Sequence, residues 1–145
     1  LNDASVEDRN ANANATSGVT GVDLTGKDIA PDGGPANVGR VVYFDFDSYV
    51  VKADAQGLID GNARFLKADA NRKVVVEGHT DERGGREYNL ALGQKRAEAV
   101  RRSLNLLGVQ DSQVEAVSFG KEKPAAEGAN EAAYSQNRRA ELSYR

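Results

Sequence analysis

The run KVVVEGHTDERGGREYNLALGQKRAEAV, residues 73–100, constrains the fold of this chain more than any other stretch. A continuous apolar segment of strand length meets a polar, Gly-flanked loop, and the loop opens directly into a helical pattern. Leu90, Gly93, Ala97, Val100, Leu104 and Leu107 step by three and four residues, so they form one apolar stripe, with Gly108 placed to stop the helix. The first N–H groups of such a helix lack intrahelical partners and carry the positive end of its dipole. Beside them lie one acid, Asp81, and one base, Arg96, fifteen residues apart. A carboxylate, a guanidinium and free backbone donors together suit a zwitterionic, amino-acid-like ligand better than a reaction centre.

The rest of the chain divides at residue 40. All nine aromatic residues lie after it. Residues 1–40 hold six acids and three bases, and residues 41–145 hold sixteen of each, so the whole net charge of −3 sits on the leading segment. That segment is rich in Asn, Ala, Ser and Gly with few apolar residues, and reads as a flexible tether, partly docked near its end. Residues 41–145 read as the folded domain. Neither part is basic enough to imply nucleic acid. The chain has no Cys, which excludes disulfides and thiolate metal sites. It has no run approaching about 18 apolar residues, the length needed for a membrane-spanning helix. It begins at Leu1 and holds no Met, so a processed or excised product is expected, with any membrane attachment preceding Leu1.

From Val41 the pattern is strand, helix, strand, helix, strand, loop or short helix, strand. VVYFDF reads as a buried strand. In the helix that follows, Gly57 and Gly61 share a face, for which close packing is a reason. KVVVEG and VEAVSFG read as the next strands, and NRRAELSYR alternates as an edge or half-exposed strand does. Two strands joined by a helix tend to lie parallel through a right-handed crossover. The exits FDFDSY and GHTDERGG then share one edge of the sheet, where α/β sheets favour ligands.

Each candidate has a plainer role to set beside the functional one. Asp81 also suits a turn or capping aspartate, and Arg96, outside the apolar stripe, a solvated helix residue. Asn89, Leu92, Gly93 and Arg96 nonetheless share a flank that points back toward the loop, so Arg96 can reach its mouth. His79 is the sole histidine, but no nucleophile accompanies it, and a hydrogen-bonded structural role fits better than catalysis. Asp45 and Asp47 form a DxD pair that raises a magnesium-dependent hydrolase or phosphotransferase as the rival class. No second acidic motif supports that reading, so neither metal nor cofactor is expected.

YFDFDSY, GHTDERGGREYN, LALGQKRAEAV and NRRAEL, in this order and spacing, resemble the OmpA-like peptidoglycan-binding domain family, and its lipoprotein branch in particular. The resemblance covers residues 41–145. It implies an α/β (α+β) fold of the βαβαβ type, with helices packed on a mixed parallel and antiparallel sheet. It further implies non-catalytic binding of the diaminopimelate in peptidoglycan stem peptides. Asp81 would take the ligand's ammonium and Arg96 its carboxylate, with Thr80 and Asn89 in support. Phe46 and Asp47 would come from the other strand exit, and Leu92 would meet the aliphatic chain. The family implies a lipidated N-terminal Cys in the outer membrane, a periplasmic location and engagement with TolB and other Tol proteins. That Cys is absent from this sequence. Porin tails and flagellar stator subunits carry related domains and are the alternatives within the binding class. Where relatives have Gly-Thr-Pro-Glu at the helix start, this chain has Gly84, Gly85, Arg86 and Glu87. A looser loop and added attraction from Arg86 for an anionic ligand are therefore expected.

Overall fold

Two glycines set the architecture around which the other elements arrange. A Cβ on Gly78 would lie 1.7 Å from the carbonyl oxygen of Gly93, and one on Gly93 would lie 2.3 Å from the Ser118 hydroxyl. Only at bare backbone can the long helix cross the strand this closely.

The computed structural model describes residues 29–145. Of these, Pro31–Arg145 form one unit, within which the sequence boundary at residue 40 falls. The tether expected over residues 1–28 lies outside the described residues. The described elements are β1 (Val41–Tyr43), α1 (Gln56–Ala68), β2 (Val74–His79), α2 (Arg86–Leu106), β3 (Val114–Gly120), α3 (Glu131–Asn137) and β4 (Arg139–Tyr144). The sheet order is β1-β4-β2-β3. β4 runs antiparallel to both its neighbours, and β2 and β3 are parallel. This is the mixed α/β sheet with helices that the motif order implies. β1 and β2 point the same way, so their exits do share an edge.

Helices α1 and α2 cover one face of this sheet. Ile59 and Leu66 of α1 and Ala97, Val100 and Leu104 of α2 pack with Val42, Val74, Val76, Val114, Ala140 and Leu142 into one core. The α2 stripe read from the sequence faces inward over its middle, and Gly108 follows with φ +104°. Asn130 caps α3 by accepting from the Ala133 N–H at 2.9 Å. Residues 31–40 are held through Arg40, whose side chain pairs with Asp32 at 3.0 Å and donates to the carbonyls of Val38 and Pro35.

Three expectations need correction. Of the two readings of NRRAELSYR, the half-exposed strand holds and the edge strand does not: β4 lies inside the sheet, with β1 and β3 at the edges. Its alternation arises because the helices cover one face, which leaves Glu141 on the other. The first strand is shorter than VVYFDF. It ends at Tyr43, and the chain turns at Asp45–Ser48, where the Ser48 N–H donates to Asp45 and Asp47 adopts φ +55°. Asp45 and Asp47 therefore do not project together from a strand. Close packing explains Gly61, where a Cβ would meet Val38 at 2.9 Å, but not Gly57, which has nothing within 4 Å.

His79 closes β2 and is buried, its ring stacked on Phe119 at 5.5 Å. Neither ring nitrogen has a protein hydrogen-bond partner, so the hydrogen-bonded role expected for it is replaced by an apolar, stacked one. Burial, reinforced by the Arg139 charge, pushes its pKa from 6.5 down to about 4.

Two stability measurements test this packing. Gly78→Ala should cost about 3 kcal/mol or more, because a backbone oxygen must move, whereas Gly57→Ala should stabilise by up to about 1 kcal/mol. Equal effects in urea unfolding would contradict the close crossing. Because the folded pKa of His79 lies below its unfolded value, the unfolded chain takes that proton first. The resulting contribution to stability is intact above pH 6.5 and is lost as pH falls toward 4. His79→Phe should flatten the unfolding free energy across that window, and an unchanged profile would show that His79 is not buried neutral.

Candidate functional site

The chain turn after β1 and the loop after β2 face each other across the N-terminal half of α2. Between them lies a cavity of about 260 Å³. Its lining includes Phe46, Asp47, Thr80, Asp81, Asn89, Leu92 and Arg96, the seven residues named from the sequence, together with Arg83, Gly84 and Tyr88. Asp45 and His79 do not line it.

Arg96 forms the floor. It is 1% exposed, the opposite of a solvated helix residue. Its Nε donates to the Ser48 carbonyl at 2.8 Å, Nη1 to His79 at 2.9 Å and Nη2 to Asp45 at 3.2 Å. One guanidinium thus ties both strand exits to α2. Burial lowers its pKa to about 10, against the opposing pull of Asp81, so it stays charged at neutral pH. A guanidinium has five N–H donors. Three are used here, and one on each terminal nitrogen remains for a carboxylate.

Asp81 forms the wall. Its Oδ1 accepts from the Arg83 N–H at 3.0 Å and from Arg83 Nε at 3.2 Å, and its Oδ2 accepts from Arg83 Nη2 at 2.8 Å. The turn role considered for Asp81 is therefore real, and it coexists with a place in the cavity. Burial alone would raise this carboxyl, but the Arg83 hydrogen bonds and the charges of Arg83 and Arg138 outweigh it and hold the pKa below its ordinary value. Asp81 is an anion at neutral pH, facing Arg96 across the cavity.

The loop between them is braced from several sides. The Thr80 N–H donates to the Gly120 carbonyl at 2.9 Å, Asn89 Nδ2 to Arg83 at 2.9 Å, and Lys121 Nζ to Gly84 at 2.8 Å. Gly84 needs its glycine, with φ +99°. Tyr88 donates its hydroxyl to Asp47, which draws the two exits together at the cavity mouth. The looser loop expected from the Gly84–Gly85 start is thus countered by side chains from other elements. Arg86 points elsewhere, 3.6 Å from Glu122.

Arg83 and Tyr88 were not singled out from the sequence. The signal for Arg83 was present: Asp-x-Arg in a Gly-flanked loop lets an aspartate accept from the N–H two residues on. For Tyr88, its place four residues before Leu92 on the helix was the available sign.

The cavity offers one buried carboxylate, one buried guanidinium and apolar contact from Phe46 and Leu92. No nucleophile–base pair is present in it. Asp45 instead pairs with Lys52 at 3.0 Å on the surface, so the rival phosphotransferase reading loses both of its acids as a pair. Among the described residues no three His or carboxylate side chains converge as metal ligands.

Comparison with known proteins agrees with this geometry. Residues 43–138 match the OmpA family. The chain is 56% identical over 105 residues to the peptidoglycan-associated lipoprotein of Pasteurella multocida, covering 72% of this chain and 70% of that protein. It is 54% identical to the one from Pseudomonas aeruginosa, covering 69% of this chain but 59% of that protein. Among solved structures, the peptidoglycan-associated lipoprotein from Burkholderia pseudomallei is 61% identical, with a TM-score of 0.72 over 73% of this chain and 90% of that one. The C-terminal domain of Helicobacter pylori MotB shares the fold at 21% identity, with a TM-score of 0.68 over 75% of this chain and 85% of that one. By family match, identity and fold together, the chain belongs to the OmpA family, in its peptidoglycan-associated lipoprotein branch.

Proposed function

We propose that this domain binds peptidoglycan without transforming it and holds the zwitterionic end of the stem-peptide diaminopimelate. The observation that carries this reading is the pairing of Asp81 with Arg96 across one small cavity. The ligand's terminal carbon bears an ammonium and a carboxylate, which match those two charges. Arg96 keeps one unused N–H on each terminal nitrogen, and a planar guanidinium is suited to holding a carboxylate. Leu92 and Phe46 supply contact for the methylene chain between the ligand's two ends. Thr80 and Asn89 act at one remove, by fixing the loop that carries Asp81.

The relatives' name records association with the wall and lipid modification, and we extend both to this chain. In this reading a lipid anchor lies in the outer membrane, the domain lies on its periplasmic side, and the wall is tethered by the cavity. TolB and the Tol system are the proposed protein partners. Phe46 and Tyr88 line the cavity yet are 61% and 56% exposed, and Tyr49 and Val50 follow on the same exposed turn. A protein seated on that apolar rim would compete with peptidoglycan.

Binding to purified sacculi tests the reading. Asp81→Asn keeps the shape but removes the charge, and should weaken retention by about 2 kcal/mol or more, as loss of one partner in a desolvated ionic contact does. Arg96→Ala is a poorer probe, because it also frees three carbonyls from their donor. Arg96→Lys, checked for a wild-type melting curve, should lose comparable binding, since an ammonium cannot fork. Bound stem peptide should remain intact by mass spectrometry. Full retention by folded Asp81→Asn and Arg96→Lys would remove the cavity from peptidoglycan binding.

A further inference from the structure

We infer that Arg83 occupies the ammonium position of the site, so that a ligand enters by displacing it from Asp81. This inference rests on the peptidoglycan reading of the cavity and concerns how its acidic half is kept and released. A carboxylate offers about four acceptor positions. Arg83 fills three of them, at 3.0, 3.2 and 2.8 Å, and Arg138 Nη1 stands 3.9 Å from Oδ2. One of the three is the Arg83 backbone N–H and two are its guanidinium, which leaves a single position open to an incoming ammonium. Full engagement of Asp81 by a ligand cation requires that guanidinium to leave.

Arg83 is the one free to do so. Arg138 is buried, with Nε on the Phe44 carbonyl at 2.9 Å and Nη2 on Glu131 at 2.8 Å, and moving it would open the join between β1 and α3. The Arg83 side chain is 39% exposed. Its guanidinium lies over Phe46 at 4.3 Å and over Tyr134 at 4.2 Å, and Asp81 is the acceptor it holds. These contacts make a closed but surface-accessible latch. They also compensate the charge of Asp81. A carboxylate as buried as Asp81 is costly without a partner. Exchanging one cation for another means that it is never left bare. Departure of Arg83 also uncovers the Phe46 ring, which becomes available to the ligand's methylenes.

Two consequences follow from the exchange. The latch lowers apparent affinity by the fraction of molecules in which it is open. It also favours ligands that carry a cation, because a neutral group has nothing to offer Asp81 in place of Arg83.

Calorimetric titration with a diaminopimelate stem peptide, and with the same peptide acetylated on its side-chain amine, tests this. Arg83→Ala should bind the free amine about two- to fivefold more tightly than wild type, the range expected for releasing a partly exposed ion pair. The acetylated peptide should show no such gain. Arg83→Lys keeps the charge without the fork and should fall between the two. Weaker or unchanged binding of the free amine by Arg83→Ala would overturn the latch while leaving the peptidoglycan reading standing. Absence of binding by the wild-type domain would overturn both.

Discussion

The three hydrogen bonds from Arg96 to the carbonyls of Asp45, Ser48 and His79 are the interaction on which the site depends. Two strand exits, separated by a helix and more than thirty residues of chain, are held against α2 by one side chain. Its position is possible only because α2 crosses β2 at Gly78 and Gly93, where a Cβ would leave 1.7 Å to a backbone oxygen. A larger residue at either glycine would lift the helix and carry Arg96 and Asn89 away from the strand ends. The cavity is therefore a product of packing density before it is a product of chemistry. Arginine is required at position 96 because several acceptors in different directions must be served by one rigid, permanently charged plane.

Electrostatic balance accounts for the rest. Asp81 and Arg96 are both deeply buried, and each alone would be expensive to desolvate. Together with Asp47 and Arg83, the lining charges cancel, so the cavity has opposite charges on its walls but little net charge. Such a site attracts a ligand that is itself split into a cation and an anion and has no strong preference for a simple ion of either sign. The same arrangement holds its two buried charges in a fixed state near neutral pH: Asp81 is pushed down, and Arg96 is lowered only to about 10. A general acid or base needs a group poised to exchange protons, and neither Asp81 nor Arg96 is. His79, the one residue with a suitable intrinsic pKa, is behind the site, stacked on Phe119.

Much of this was legible in the sequence because the informative signals were local. The α2 stripe, the apolar runs and the Gly-flanked loop each follow from spacing within twenty or so residues. The order of elements then brought FDFDSY and GHTDERGG to one edge beside Asp81 and Arg96, while Phe46, Asp47 and Thr80 were named through the family resemblance. The failures had non-local causes. The inner position of β4 was hidden because an antiparallel strand covered on one face alternates in the same way wherever it lies in the sheet. The early end of β1 depended on a turn in which Asp47 takes a positive φ, a conformation aspartate tolerates but the alternating run FDFDSY does not announce. For Arg83 the local sign pointed only to its hydrogen bond with Asp81, while its place over Phe46 and Tyr134 joins segments nearly ninety residues apart. Arg96 was weighed as a surface residue because helical periodicity shows which side a residue occupies, and not which carbonyls await it.

A structure of the domain with a diaminopimelate stem peptide bound would test the central claim most directly. The expected result is a ligand carboxylate on the two unused N–H groups of Arg96, a ligand ammonium on Asp81, and the bonds from Arg96 to Asp45, Ser48 and His79 unchanged. A ligand bound elsewhere on the surface, with Asp81 still held by Arg83 and Arg96 facing an empty cavity, would contradict it.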